Sequence, residues 1–144
     1  MKFVAKTLVV GLILVAGFAV AKEGVQDPTV KARMDLMRTI GMSVKTLGDM
    51  AGGKSAYDAA AAEAAKAALI AASADVAAKF EPQATDPVSE AKPEIWTTWD
   101  DFVVKATALT TAATAIDTSS AESIGAGMGA IGGACKDCHT AYRM

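Results

Sequence analysis

Both cysteines and the only histidine of the 144-residue chain lie close together near its C-terminus. Cys135 and Cys138 are separated by two residues, and His139 follows directly. Residues three and four apart on a helix project from one face, so a single turn would present both thiols and the imidazole together. The C-x-x-C-H spacing is the attachment pattern of a c-type haem, in which two thiols bind the porphyrin and the imidazole binds iron. The sequence therefore predicts one covalent haem c, with Cys135 and Cys138 as attachment sites and His139 as the proximal ligand.

Three other kinds of site use cysteines at this spacing. A structural zinc site normally takes four ligands, and two cysteines with one histidine fall short unless a carboxylate joins them. A thioredoxin-like redox pair belongs in a βαβ unit, and no strand pattern precedes these cysteines. A plain disulfide would leave the adjacent histidine without a role. The haem motif accounts for all three residues, so we favour it.

The N-terminus has the pattern of a secretory signal. Lys2 and Lys6 precede an apolar run from Leu8 to Val20, and an A-x-A site ends at Ala21. The run is shorter than the roughly 20 apolar residues that cross a bilayer, which argues against a retained anchor. We therefore predict cleavage after Ala21 and export to the periplasm, where covalent haem attachment takes place.

The charge balance limits the kinds of partner. The chain has 14 basic and 16 acidic residues, and the predicted signal peptide, residues 1–21, would remove two of the lysines. The remaining residues, 22–144, form one predicted domain with a net charge of −4. Such a chain has no general attraction to nucleic acid or to anionic membranes. We expect no nucleic-acid partner.

The mature chain reads as four helices. Asp27 is placed to cap the first helix, Pro28 suits its first position, and Gly52 with Gly53 ends it. The second helix is predicted from about Tyr57 to Phe80, and a proline-containing loop follows it. The third is predicted from Pro93 to about Ile116, and the fourth from a capping box, Ser119 and Glu122, to the C-terminus.

Four helices without a strand pattern predict an all-α fold, an antiparallel four-helix bundle able to hold a cofactor between its helices. Aromatic residues 95–102 keep helical spacing and are expected to pack in the core or at the haem edge. Five glycines over residues 125–133 suggest close approach by another helix, the haem or a second subunit, and a break in the helix is the alternative. The predicted apolar stripe of the first helix is Val30, Met34, Met37, Gly41, Val44 and Gly48.

The C-terminal pattern C-K-x-C-H-x-x-Y-R, from Cys135 to Arg143, resembles the cytochrome c prime family, also called class II cytochromes c. Arg33 on the first helix and the K-P-E-I-W segment from Lys92 to Trp96 extend this resemblance. The family has two branches. In one, the distal side of the iron is open and binds nitric oxide or carbon monoxide, while in the other a methionine sulfur from the first helix completes a low-spin iron.

The second axial ligand of a low-spin iron within one chain would be a methionine, because no second histidine is present. Met128 precedes Cys135 by seven residues on the same helix, which places it on the side of His139. Three others lie off the expected stripe, at a helix end or at the chain end: Met42, Met50 and Met144. Two remain, Met34 and Met37.

The resemblance favours Met37, because residues 33–41 match the R-x-x-L-M-K-x-x-G pattern of the low-spin branch, with Arg38 in the lysine position. Arg33, one helical turn before Met37, would then contact a haem propionate. The alternative is that Met37 only shields an open distal side, since core methionines usually serve packing.

The resemblance thus implies a periplasmic electron carrier, not an enzyme, with a low-spin haem ligated by His139 and Met37 and with redox proteins as partners. The alternative function is binding of nitric oxide or carbon monoxide at a five-coordinate iron, with Arg143 beside the proximal face. A structural or haem-storage bundle has no residue in its favour. The sequence leaves the oligomeric state open between a monomer and a homodimer.

Overall fold

The structure is a computed structural model that describes residues 24–144. The predicted signal peptide, residues 1–21, lies outside these residues, so its cleavage and the periplasmic location stay predictions. None of the helices between residues 24 and 144 has the length and apolar character needed to cross a bilayer. The described helices are α1 Pro28–Ala51, α2 Ala59–Ala74, α3 Val76–Phe80, α4 Glu94–Thr97, α5 Trp99–Ala115 and α6 Ala121–Tyr142.

The six helices form the four arms of a bundle. Helices α2 and α3 make the second arm, α4 and α5 the third, and each arm packs against the next, with α6 returning to α1. The directions alternate. Tyr57, just before α2, donates to the carbonyl of Thr118 after α5 (2.7 Å), and Tyr142 at the end of α6 donates to Asp101 near the start of α5 (2.7 Å). The predicted antiparallel four-helix bundle is confirmed.

The first helix begins and ends where the sequence predicts. The Asp27 carboxylate accepts hydrogen bonds from the backbone N–H groups of Thr29 (2.8 Å) and Val30 (2.9 Å), which satisfies two of the free donors at a helix N-terminus. Pro28 needs no such acceptor. Gly52 follows the last helical residue, and Gly53 has a positive φ of 70°, which glycine adopts without steric cost.

The predicted apolar stripe of α1 is wrong by about one residue. Met34 and Gly41, two of its members, are exposed. Helix α1 packs against both α2 and α6. Its buried face is therefore the one whose side chains fill the space between these two helices. The buried residues of α1 are Val30, Arg33, Ile40, Ser43, Leu47 and Met50.

The second and third predicted helices are each interrupted. The second arm begins two residues later than the sequence indicates, where the Asp58 carboxylate caps the N–H of Ala61 (2.8 Å), and it breaks at Asp75. The third arm breaks at Thr98, which has a non-helical ψ of 46°. The Thr98 hydroxyl lies 2.8 Å from the carbonyl of Glu94 and 2.7 Å from the hydroxyl of Tyr142. A threonine held by these partners leaves the helical conformation.

Helix α6 is continuous from Ala121 to Tyr142, so the alternative of a break at its glycines is wrong. Its N-cap is Ser120, whose hydroxyl accepts from the N–H of Ser123 (3.0 Å), rather than the predicted Ser119. Close approach, the other expectation for these glycines, is confirmed at Gly127, where a Cβ atom would lie 2.6 Å from Cγ1 of Ile116.

The aromatic residues of the third arm pack together at the end of the bundle that holds the C-x-x-C-H motif. The ring of Phe102 lies 5.3 Å from Phe80, 5.4 Å from Trp99 and 5.3 Å from Tyr142, measured between centroids. These are contact distances for tilted, stacked and edge-to-face pairs. The expected packing role of these residues is confirmed, and it fixes the end of α6 against α5.

Candidate functional site

Cys135 and Cys138 lie on the last two turns of α6, where both thiols are half-buried and pack against the hydrophobic core. They are free thiols, not a disulfide. Burial raises the pKa of both, and the positive charge of Lys105 opposes this rise at Cys138. Before haem attachment both are therefore protonated thiols at neutral pH, on one face of one helix.

His139 follows on the exposed side of α6. Partial loss of hydration lowers its pKa, and the positive charge of Arg143 lowers it further. The neutral imidazole is therefore favoured at pH 7, and this is the form that binds a metal ion. Within residues 24–144 no group of three or more His, Cys, Asp and Glu side chains is arranged to hold a metal ion, so the zinc alternative lacks its further ligands.

Helices α1 and α6 pack against each other, and on each helix a column of residues seven apart starts from one shared contact. Residues seven apart share a helix face, because two turns hold about seven residues. The columns touch at one end, where a Cβ on Gly125 would lie 3.8 Å from the Cβ of Ala51. The α1 column consists of Met37, Val44 and Ala51, and the α6 column consists of Gly125, Gly132 and His139.

These columns bring Met37 and His139 to the same height in the bundle. Met37 lies fourteen residues before Ala51, and His139 lies fourteen residues after Gly125. Because the two helices run in opposite directions, each residue is displaced by about 21 Å along the bundle from the contact, at a rise of 1.5 Å per residue. Met37 and His139 therefore occupy matching positions on facing helices.

The surface of α6 beside His139 is open. Both Gly132 and His139 are exposed, and a Cβ on Gly132 would meet no heavy atom within 4 Å. The same holds at Gly41, one turn after Met37 on α1. The two thiols, the neutral imidazole and this uncovered surface fit a haem c, which needs two attachment points, an axial nitrogen and a flat space.

Met37 is the half-buried methionine of α1. It packs against the same hydrophobic core as Cys135 and Cys138. The neighbouring methionine, Met34, is 45% exposed. The remaining methionines are unsuited in other ways, being exposed (Met42 and Met144), buried within the core (Met50), or on α6 itself (Met128).

Arg33 is buried, with only 3% of its surface exposed. A buried arginine normally pairs with a negative charge, but the partners of Arg33 are neutral. Its guanidinium donates to the carbonyls of Lys79 (3.1 Å), Ala84 (3.1 Å) and Pro82. It also lies between the rings of Phe80 (5.2 Å) and Trp96 (5.1 Å). Burial lowers the pKa of Arg33 and the charge of Asp27 opposes this, but arginine stays protonated. Three of its five N–H groups thus hold the end of α3 and the segment that follows it. The contact of Arg33 with a haem propionate stays a prediction.

A contact that the sequence does not signal joins the C-terminus to the loop before α4. The residues after α6 pair with residues 90–92, and Arg143 forms an ion pair with Glu90 (2.5 Å). The K-P-E-I-W segment adjoins Glu90, but nothing local indicates that this acidic residue meets a charge 53 positions away.

A C-x-x-C-H motif on the last helix of an antiparallel four-helix bundle defines a class II cytochrome c. The family model described as Cytochrome C' matches residues 28–143, and the chain belongs to that family of proteins with a covalent haem c. It is thus a monohaem class II cytochrome.

The similar proteins include cytochromes c-556 and cytochromes c prime. The chain is 37% identical over 120 residues to cytochrome c-556 of Agrobacterium tumefaciens (strain apple 185), covering 81% of this chain and 94% of that one. The solved cytochrome c556 of R. palustris has a TM-score of 0.73 and 26% identity, over 83% of this chain and 98% of its own. A nitric oxide complex of a variant of cytochrome c prime from Alcaligenes xylosoxidans has a TM-score of 0.71 and 28% identity, over 80% and 93%.

Proposed function

We propose that this protein is a periplasmic electron carrier whose haem is attached at Cys135 and Cys138 and ligated by His139 and Met37. The bound haem supplies a ferric–ferrous couple that takes up and releases one electron. With His139 and Met37 both holding the iron, the chain would leave no place on it for an outside ligand. The partners are redox proteins that donate and accept this electron.

The observation that carries the proposal is the matching height of Met37 and His139 on α1 and α6. These two side chains come from two adjacent helices at one height, so together they could hold an iron bound between them. Met34 lies three residues before Met37 and is exposed, so it lacks the apolar surroundings that would keep a thioether in place.

The chain has a further task in electron transfer, which is to exclude water from the haem. Half-buried apolar and aromatic side chains lie around the end of the bundle that holds the motif, Leu36, Trp96, Trp99 and Val103 among them. An apolar shell and a methionine ligand both favour the ferrous state, because they stabilise the lower charge on iron. We expect a reduction potential above that of a bis-nitrogen haem.

The second candidate function is binding of nitric oxide or carbon monoxide at an open iron. It is favoured by the similarity to the cytochrome c prime of Alcaligenes xylosoxidans, whose solved variant holds nitric oxide. In this alternative Met37 contributes only an apolar cover on the distal side.

Carbon monoxide separates the two functions. We expect low-spin ferric and ferrous spectra for the wild type and little change on addition of the gas. Met37→Leu, which keeps the side-chain volume and removes the sulfur ligand, should become high-spin and bind carbon monoxide readily. The matched control is Met34→Leu, on the same helix but exposed, which should behave as the wild type. A high-spin wild type that binds the gas without any mutation would refute electron transfer through Met37.

A further inference from the structure

The chain end after α6 is tied to the loop before α4 by a short antiparallel pairing. The N–H of Lys92 donates to the carbonyl of Tyr142 (3.0 Å), and the N–H of Met144 donates to the carbonyl of Glu90 (2.9 Å). Ala91 and Arg143 form the bridge between these two bonds. The backbone at Glu90 and Arg143 is therefore fixed, although both side chains are exposed.

The pairing places the Glu90 carboxylate against the Arg143 guanidinium. Nε and one terminal nitrogen of Arg143 approach the same carboxylate oxygen, at 2.6 and 2.5 Å. An exposed ion pair contributes little to stability, since water solvates both charges and salt screens them. The ion pair matters here because it fixes the position of the positive charge of Arg143.

Arg143 is the cation one turn beyond His139. Its backbone N–H donates to the His139 carbonyl (3.0 Å), and residues four apart on a helix surface are neighbours. Two other cations near this end of the bundle are differently engaged, because Lys92 donates to the carbonyl of Thr140 (3.4 Å) and Lys105 lies 3.7 Å from Asp101. Arg143 thus joins the position beside the imidazole to a carboxylate on a different element.

We propose that Glu90 is a positioning residue that holds the Arg143 guanidinium at its place one turn beyond the iron ligand His139, so that its positive charge acts on the haem and raises the reduction potential. A positive charge near the iron opposes the ferric state more than the ferrous state, so a guanidinium held beside His139 raises the potential and one released into solvent raises it less. Glu90 has this role only if the proposed function holds and His139 ligates the haem iron.

A double-mutant cycle on the reduction potential of the holoprotein tests this role. Glu90→Gln has two opposing effects on the potential, because the lost negative charge raises it and the release of Arg143 lowers it. In the Arg143→Gln background only the lost charge remains, so Glu90→Gln should raise the potential by more than it does in the wild type. Equal shifts in both backgrounds would mean that Glu90 acts through its own charge alone, and would overturn the proposal.

Two further measurements complete the test. Glu122→Gln removes the same charge from the first turn of α6, about 25 Å from His139 along the helix, and should leave the potential unchanged. The Nε–H resonance of Arg143 should be protected from solvent exchange in the wild type and lose that protection in Glu90→Gln. Equal protection in both proteins would overturn the proposal. This resonance does not depend on the sixth iron ligand, so it still decides the role of Glu90 if carbon monoxide shows that Met37 is not bound.

Discussion

Gly127 is the position in α6 where a single methyl group should be destabilising. A Cβ there would lie 2.6 Å from Cγ1, 3.2 Å from Cδ1 and 3.3 Å from Cβ of Ile116. Ile116 is almost fully buried, and its branched side chain has few alternative rotamers. Gly129, one half-turn on, faces open space, with no heavy atom within 4 Å of an added Cβ.

The expected magnitudes follow from two opposing effects. Alanine in place of glycine inside a helix stabilises by about 1 kcal/mol, because the unfolded chain loses conformational freedom. Overpacking a well-packed contact costs about 1–3 kcal/mol. Gly127→Ala should therefore change the free energy of unfolding by between about 0 and 2 kcal/mol in the destabilising direction, while Gly129→Ala should stabilise by about 1 kcal/mol.

Urea unfolding of the two variants, followed by circular dichroism, measures this difference. The free energies of unfolding should differ by about 1–3 kcal/mol between the variants, with equal m-values. In an Ile116→Ala background the contacts at 2.6 and 3.2 Å are removed and only the one with Cβ at 3.3 Å remains, so Gly127→Ala should then cost much less than in the wild type. Equal stabilisation by both variants in the wild-type background would refute the close approach at Gly127.

Two further outcomes test the segments around α1. Arg33→Lys should lower the free energy of unfolding by about 2–4 kcal/mol in urea titrations, because each buried carbonyl acceptor left unpaired costs about 1–3 kcal/mol. The exposed control Arg38→Lys should change this free energy by under about 0.5 kcal/mol, and equal effects of the two substitutions would contradict the buried contacts of Arg33. Backbone N–H groups of Asp27, Val88 and Gln26 lower the pKa of Asp86 below its ordinary value of 3.8, so its stabilisation is present above that pH and is lost as pH falls through the lowered value. Thermal unfolding between pH 2 and 7 should therefore show a difference between wild type and Asp86→Asn that shrinks in acid, and a constant difference would contradict this linkage.

Local signals account for what the sequence predicted well. The C-x-x-C-H spacing, the cap at Asp27 and the glycines after α1 each act within a few residues, so their meaning does not depend on the rest of the fold. The number and direction of the arms follow from long apolar segments separated by breakers.

Contacts between distant residues account for what the sequence did not predict. The break at Thr98 depends on Tyr142, and the burial of Arg33 depends on carbonyls about 50 positions later. The buried stripe of α1 was shifted by one residue because two neighbouring helices, rather than hydropathy alone, decide which side chains are covered. The pairing of Glu90 with Arg143 likewise has no local signature.

The central claim, that Met37 supplies the distal ligand, is tested most directly by the methyl resonances of the six methionines between residues 24 and 144. In ferrous protein labelled with ¹³C at the methionine methyls, a methyl bound at the iron lies over the porphyrin and is strongly shielded by its ring current. We predict one strongly shielded methyl resonance in the wild type, retained in Met34→Leu and absent in Met37→Leu. Six unshifted resonances in the wild type, or a shielded resonance that persists in Met37→Leu, would contradict ligation by Met37.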